Sequence, residues 1–254
     1  MKIINYNLNG VRASMNKSLI PWLSNKNPDI ICFQEIKAHT DQFDVQEFEN
    51  LGYHCLWFPA EKKGYSGVAL LSKQKPDKVV VGCGVDAYDS EGRIIRADFG
   101  DLTQVSVYIP SGTMGDHRQN FKMQFLDFFL GFIDNLHKER PNIIISGDYN
   151  ICHEAIDIHD PIRNAHVSGF LPEERMWFTD YLETGLVDTW RYLNPGIAKY
   201  SWWSYRANAR VKNLGWRIDY QVVTPPLESK LLRATILPEA KHSDHCPTLL
   251  EVDF

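Results

Sequence analysis

Several large protein classes are excluded by what this 254-residue chain lacks. No apolar run approaches the roughly 20 residues that a membrane-spanning helix needs. The start, Met1-Lys2-Ile3-Ile4-Asn5-Tyr6-Asn7, runs straight into a strand-like segment without the charged region, apolar stretch and cleavage site of a secretory signal. Cys32, Cys55, Cys83, Cys152 and Cys246 are an odd set with no C-x-x-C pair, which fits neither a disulfide framework nor a structural zinc site. Buried free thiols and a reducing, cytoplasmic location are the expectation. No G-x-x-x-x-G-K-S/T loop and no G-x-S-x-G elbow is present, so nucleoside-triphosphate and serine-ester hydrolysis lack their usual signals. Low-complexity linkers and fixed-period repeats are also missing, and one domain over residues 1–254 is expected. With 27 basic and 32 acidic residues the formal charge is −5, so any contact with nucleic acid must come from a local patch.

What is present is an ordinary globular composition, 44% hydrophobic, and therefore enough apolar material for a sizeable core. Short runs rich in β-branched residues recur at Lys2–Leu8, Asp29–Phe33, Gly67–Leu71, Lys78–Val81, Ile94–Phe99, Gln104–Ile109, Asn142–Ile145, Ile218–Val223 and Thr248–Val252, and each reads as a strand. Helical periodicity covers Phe121–His137, with Phe121, Phe125, Phe128, Phe129, Phe132, Ile133 and Leu136 on one side, and a second helix is read at Pro172–Glu183. Strands outnumber helices, so sheets covered by helices fit better than a doubly wound order.

Three of these strands run into acids or amides. Lys2–Leu8 carries Asn7 and is followed by Asn9, Asp29–Phe33 leads to Gln34-Glu35, and Asn142–Ile145 leads to Asp148-Tyr149-Asn150. Loops at the carboxyl ends of neighbouring strands bring distant residues together. Carboxylates and carboxamides meeting there make an oxygen site for a hard cation such as Mg²⁺. Taken singly, each is more often a turn or helix cap. Two further segments add weight: Arg217-Ile218-Asp219-Tyr220 opens another apolar run, and Ser243-Asp244-His245 precedes the last strand, giving an imidazole that can hold a charge or hydrogen bond near neutral pH. Tyr108 places a phenol at a strand end. From Thr189 to Ile218 there are six basic residues and no Asp or Glu, interleaved with Trp202, Trp203 and Trp216, a mixture suited to phosphates, sugars and bases.

The order Asn7-Leu8-Asn9-Gly10, Gln34-Glu35, Tyr65-Ser66-Gly67-Val68, Glu91-Gly92-Arg93, Tyr108-Ile109-Pro110, Gly147-Asp148-Tyr149-Asn150, Gly215-Trp216-Arg217-Ile218-Asp219-Tyr220 and Ser243-Asp244-His245-Cys246-Pro247 resembles the exodeoxyribonuclease III family of abasic-site endonucleases, from residue 2 to about 252. The resemblance implies a four-layer α/β sandwich with two central mixed sheets flanked by helices. It implies an Mg²⁺ site, with Mn²⁺ as substitute, drawn from Glu35, Asn7, Asn9, Asp148, Asn150, Asp244 and His245, with Asn7 supporting the metal and the phosphate or orienting Asp148. It gives catalytic roles to Asp148 (orienting or deprotonating water), Asn150, Tyr108 and His245 (holding the phosphate), and Asp219 (orienting His245). Trp202, Trp216 and Ile218 would form an apolar pocket for a flipped, baseless sugar, with Tyr65, Arg206, Arg210 and Asn164 contacting the backbone or lesion. The implied partner is double-stranded DNA with abasic sites or blocked 3′ ends, met by a monomer away from any membrane. An enzyme of the same fold acting on RNA or a phosphorylated small molecule, or an inactive DNA-binding scaffold, are the competing readings.

Overall fold

The computed structural model describes all 254 residues and contains twelve strands. In chain order they are β1 (Lys2–Asn7), β2 (Ile30–Gln34), β3 (His54–Phe58), β4 (Val68–Ser72), β5 (Lys78–Val81), β6 (Ile94–Phe99), β7 (Leu102–Tyr108), β8 (Asn142–Asp148), β9 (Val187–Asp188), β10 (Asp219–Val223), β11 (Leu231–Ile236) and β12 (Thr248–Val252). They form two six-stranded sheets, ordered β11-β12-β1-β2-β4-β3 and β5-β6-β7-β8-β10-β9. Each sheet is mixed: β1–β2 and β7–β8 are the parallel pairs and the others run antiparallel.

The period-2 alternation of a strand explains the layering. In β1, Ile3 points into the space between the sheets, beside Ile30, Ile144, Val223 and Leu250, while Ile4 and Tyr6 point outward to Leu19 and Leu23 of a short helix. The outer face of the second sheet is covered by the helices Asp116–Glu139 and Pro172–Glu183 through Phe125, Phe129, Trp177 and Tyr181. The result is helices, sheet, sheet, helices: the four-layer α/β sandwich that the sequence resemblance implies.

Toward one end the space between the sheets turns polar. Asn5 Nδ2 donates to Gly147 O across the gap (3.1 Å), Gln34 Nε2 to Asn5 Oδ1 (2.8 Å), Ser106 Oγ to Ala69 O (3.2 Å), Ser146 Oγ to Gln221 Oε1 (3.2 Å) and Gln221 Nε2 to Thr248 Oγ1 (3.2 Å). These are fully or nearly fully buried groups, so each hydrogen bond avoids the desolvation cost of an unpaired one.

Strand limits read from sequence hold within a few residues, but three strands escaped it: His54–Phe58, Val187–Asp188 and Leu231–Ile236. The last two are short or half exposed and lack a continuous apolar run. β8 continues through Ser146-Gly147-Asp148, a triplet that reads as a turn but is held in the sheet by pairing with both β7 and β10. The long helix begins five residues earlier than its apolar pattern, at Asp116, whose charge suits a helix N-terminus. All five cysteines are unpaired, and no helix is long and apolar enough to cross a membrane.

Candidate active site

The ends of β1, β2, β8 and β10 meet at the polar end of the sandwich. Pairing register puts Asn7 beside Gln34 and Asp148 beside Asp219. Asn7 Nδ2 bridges the two sheets, donating to Glu35 Oε1 (2.8 Å) and Asp148 Oδ2 (2.7 Å). The other Asp148 oxygen accepts the Asn150 N–H (2.8 Å), and Asn150 Nδ2 donates to Ile109 O (2.9 Å). Asn9, Glu35, Lys37 and Asn150 all sit at φ near +50°, so the chain turns sharply just past each strand end. For Glu35 and Lys37, which lack the tolerance of Asn, this conformation costs on the order of 1–2 kcal/mol each, strain of the kind stored at functional sites.

His245 is fixed by its Nδ1, 2.9 Å from Asp219 Oδ2, and its Nε2 lies 3.9 Å from Asp148 Oδ2. Ser201 Oγ donates to the same Asp219 oxygen (2.6 Å) and accepts the N–H groups of Ile218 and Asp219. Burial works against charging the imidazole, but the carboxylates of Asp219 and then Asp148 outweigh it and raise the His245 pKa to about 10. Burial, and then the Asp219 carboxylate, push Asp148 up to about 8, with His245 opposing. Glu35 stays below the usual carboxylate range despite its burial, because the Lys37 ammonium and His245 face it. Burial, and then the nearby Glu35 and Asp148 carboxyl groups, raise the Tyr108 pKa, so its phenol keeps its proton. The Arg93 guanidinium lies over the Tyr108 ring, 4.9 Å from its centroid.

Beside these groups opens a cleft of about 420 Å³ lined by Asn9, Glu35, Tyr108, Asn150, Asp244 and His245 on one side and by Trp202, Trp216, Ile218, Val167 and Gly169 on the other. The apolar wall is a small patch of paired backbone: Trp202 and Trp216 exchange N–H to O bonds of 2.9 Å, and Trp202 also bridges to His245. Their rings meet edge to face with centroids 5.8 Å apart. Gly169 lies directly behind, where a Cβ would stand 2.7 Å from the Trp216 ring, at φ +100°. Trp202 Nε1 donates to Asp244 Oδ2 (3.1 Å), tying wall to acid.

Not every residue expected here has its expected part. Of the two parts open to it, Asn7 has the orienting one: its amide nitrogen faces Glu35 and Asp148, and its oxygen accepts the Asn9 N–H. His245, with Nδ1 engaged by Asp219 and its pKa raised, is a donor toward anions in its protonated form, and its ring also falls in the cluster with Glu35 and Asp148 whose ligand atoms lie within 4.8 Å of one another. Arg210 spends its guanidinium on the carbonyls of Ser243, Pro238 and Ala240, clamping the loop that carries His245. Asn164 donates to His159 O and Asp160 O within its own loop and does not line the cleft. Tyr65 accepts from Arg118 and Arg93, at one remove from the cleft behind Tyr108. Arg206 is exposed on the loop that follows Trp203. Lys37 and Ser201 were missed by the sequence reading. Lys37 Nζ lies 2.5 Å from both Glu35 Oε2 and Asn9 Oδ1, but a lone Lys two residues after an acid carries no pattern.

The donor set suits a hard cation. Glu35, Asp148, Asp219 and Asp244 bring four carboxyl groups against two cationic groups, Lys37 and His245, an excess of acid that a cation would offset for an approaching phosphate. Glu35, Asn9, Asp148, Asp244 and the Asn150 amide oxygen are the oxygens available to hold it.

A sequence profile of the Endonuclease/Exonuclease/phosphatase family matches residues 4–245. The chain is 42% identical to an exodeoxyribonuclease of Bacillus subtilis over all of both chains, and 38% identical to the DNA repair nuclease APEX1 of Danio rerio, covering 98% of this chain and 81% of that one. Among solved structures, an AP endonuclease from Archaeoglobus fulgidus superposes with a TM-score of 0.92 at 30% identity, and the 3′ phosphatase NExo from Neisseria, bound to a product DNA hairpin, with 0.92 at 28%, each over the full length of both chains. With a family profile spanning nearly the whole fold, and relatives of this identity sharing its full length, the chain belongs to the endonuclease/exonuclease/phosphatase family and to its exodeoxyribonuclease III branch of DNA-repair nucleases.

Proposed function

We propose that this protein, acting as one domain and as a monomer, cuts the DNA backbone on the 5′ side of abasic sites in duplex DNA, leaving a 3′ hydroxyl and a 5′ deoxyribose phosphate, and trims blocked 3′ ends. The observation that carries the reading is the apolar wall of Trp202, Trp216 and Ile218 in the same cleft as Glu35, Asn150 and His245, with Asp148 Oδ2 3.9 Å from His245 Nε2. A baseless sugar fills an apolar recess beside the reacting groups, and extrusion is cheapest where no base must be unstacked. An enzyme acting on a small phosphorylated molecule has no use for that wall.

The chemistry follows from the held atoms. Asp148 has both oxygens fixed by Asn7 and Asn150, and its raised pKa makes its ionised form a competent base for an attacking water. The His245 imidazolium, braced by Asp219, donates from Nε2 to a non-bridging phosphate oxygen, and the protonated Tyr108 phenol donates beside it. Glu35, Asp148 and the neighbouring oxygens of Asn9, Asn150 and Asp244 would hold Mg²⁺, or Mn²⁺ in its place, which would supply positive charge against the phosphate and the departing 3′ oxygen. Positioning and charge stabilisation carry most of such a reaction. Five unpaired cysteines support work in a reducing, cytoplasmic compartment.

The test is incision of a labelled duplex with one tetrahydrofuran abasic mimic, in Mg²⁺ or in EDTA, beside an intact duplex. Metal-dependent cutting 5′ to the mimic is expected. Folded protein that leaves the mimic uncut in Mg²⁺ overturns the reading.

A further inference from the structure

The long helix Asp116–Glu139 buries a stripe at Leu126, Phe129, Ile133 and Leu136, and the next position toward the site on that stripe is a lysine. Lys122 is fully buried, and its ammonium lies 2.5 Å from Glu174 Oε1, itself fully buried. Burying such a pair offers little net stability over apolar residues of the same shape. Its other contacts point elsewhere. Lys122 Nζ donates to Asn150 O (2.8 Å), the residue that fixes Asp148. Glu174 Oε2 accepts the N–H groups of Gly169 (2.6 Å) and Leu171 (3.0 Å), while Oε1 also accepts from Gln119 (3.0 Å) and Ser168 (3.3 Å). Gly169 is the residue packed behind the Trp216 ring. One buried pair therefore ties the phosphate side of the cleft and the back of its apolar wall to the same rigid helix.

We propose that Lys122 and Glu174 are positioning residues with divided roles, Lys122 setting the phosphate side through Asn150, and Glu174 setting the lesion wall through Gly169 and hence the preference for a baseless sugar. The division follows from chemistry: Glu174 is an acceptor serving only donors, two of them main-chain groups of the wall, whereas the Lys122 ammonium serves an acceptor on the catalytic turn. A carboxamide at 174 brings an N–H₂ face to face with those donors and releases the 168–171 turn. The inference deepens the abasic-site reading and rests on it for its substrate.

The experiment measures kcat and KM of the full chain for abasic incision and for 3′→5′ degradation of intact duplex, with hydrogen exchange of residues 160–171 read by mass spectrometry. Glu174→Gln is expected to lower the ratio of abasic to exonuclease kcat about five- to tenfold, since a misplacement of about 1 Å far from the chemistry can cost 100-fold, and to speed exchange at Gly169 and Leu171. Lys122→Met is expected to lower both activities by a similar factor and leave the ratio within about twofold. Should either variant fail to fold, Gln119→Met, which removes one half-buried donor to Glu174, is expected to move the ratio and the exchange the same way by about two- to threefold. Folded variants with an unchanged ratio and unchanged exchange overturn the proposal. A wild-type protein inactive on abasic DNA sinks the functional reading instead, and the exchange difference then decides the positioning role by itself.

Discussion

Replacing Asp219 by Asn tests the electrostatics of the site most directly. The raised pKa of His245 rests on Asp219 first, through charge and a 2.9 Å hydrogen bond, and on Asp148 second. Without the Asp219 carboxylate, the pKa falls from about 10 toward the unperturbed 6.5, with burial pulling it down and Asp148 and Asp244 holding it up. The cationic form acts below the pKa and is lost as pH rises through it. At pH 8 the imidazolium fraction then drops from ~99% toward ~3%, and a rate that depends on it falls by up to ~30-fold, equivalent to about 2 kcal/mol. The same substitution removes the main charge that raises Asp148, so the acidic limb of the profile moves down as well. The assay is kcat/KM for abasic incision between pH 5.5 and 10 with folding checked by circular dichroism. Both limbs are expected to shift to lower pH, with activity partly recovered near pH 6. A folded variant with the wild-type profile at reduced height would refute the assignment of His245 as a cation held by Asp219.

Asp148→Asn keeps the side-chain shape but removes the base and turns an N–H₂ toward one of the two donors that hold it, and turnover is expected to fall about 10²–10⁴-fold while duplex binding persists; near-normal incision by the folded variant contradicts the role. Trp216→Ala removes the edge of the apolar wall, and about a 10–100-fold loss on abasic duplex with less than threefold loss of exonuclease action is expected, in line with the 1.5–3 kcal/mol of a buried apolar side chain. Equal loss on both substrates speaks against the recess. Asp157 is buried between Arg217 and Arg191, and Asp157→Asn removes the carboxylate they share and leaves Arg217 only that of Asp188, so thermal unfolding should show about 3 kcal/mol of lost stability at neutral pH. Because those arginines depress the Asp157 pKa against its burial, its contribution is present above the unfolded carboxylate pKa and disappears as pH falls through the folded one. A Tm gap between wild type and variant that does not narrow in acid would show the stabilisation to be something other than charge.

Much of this site was readable in the sequence, because its acids and amides follow apolar runs, and strand ends are where a layered fold gathers them. Asn7, Glu35, Asp148, Asp219, Asp244 and His245 do converge. The missed parts are those whose meaning depends on a partner distant in sequence. Ser201 is an ordinary serine until Asp219 stands 2.6 Å away, and Lys122 reads as the polar edge of an apolar helix until Glu174 closes over it. Arg210 shows the converse: a basic residue among tryptophans suggests a phosphate contact, yet three nearby carbonyls claim its donors. Side-chain direction, which periodicity cannot give, decided each case.

The amide and hydroxyl ladder between the sheets has a mechanical consequence for the reaction. Half the catalytic groups ride on one sheet and half on the other, so their spacing depends on how the two sheets sit together. An interface of hydrocarbon alone resists separation but tolerates sideways slip, since dispersion contacts are individually weak and undirected. Directed bonds such as that from Asn5 to Gly147, one residue before Asp148, act as a detent: sliding along either strand bends the bond, so the two halves of the site are held in register.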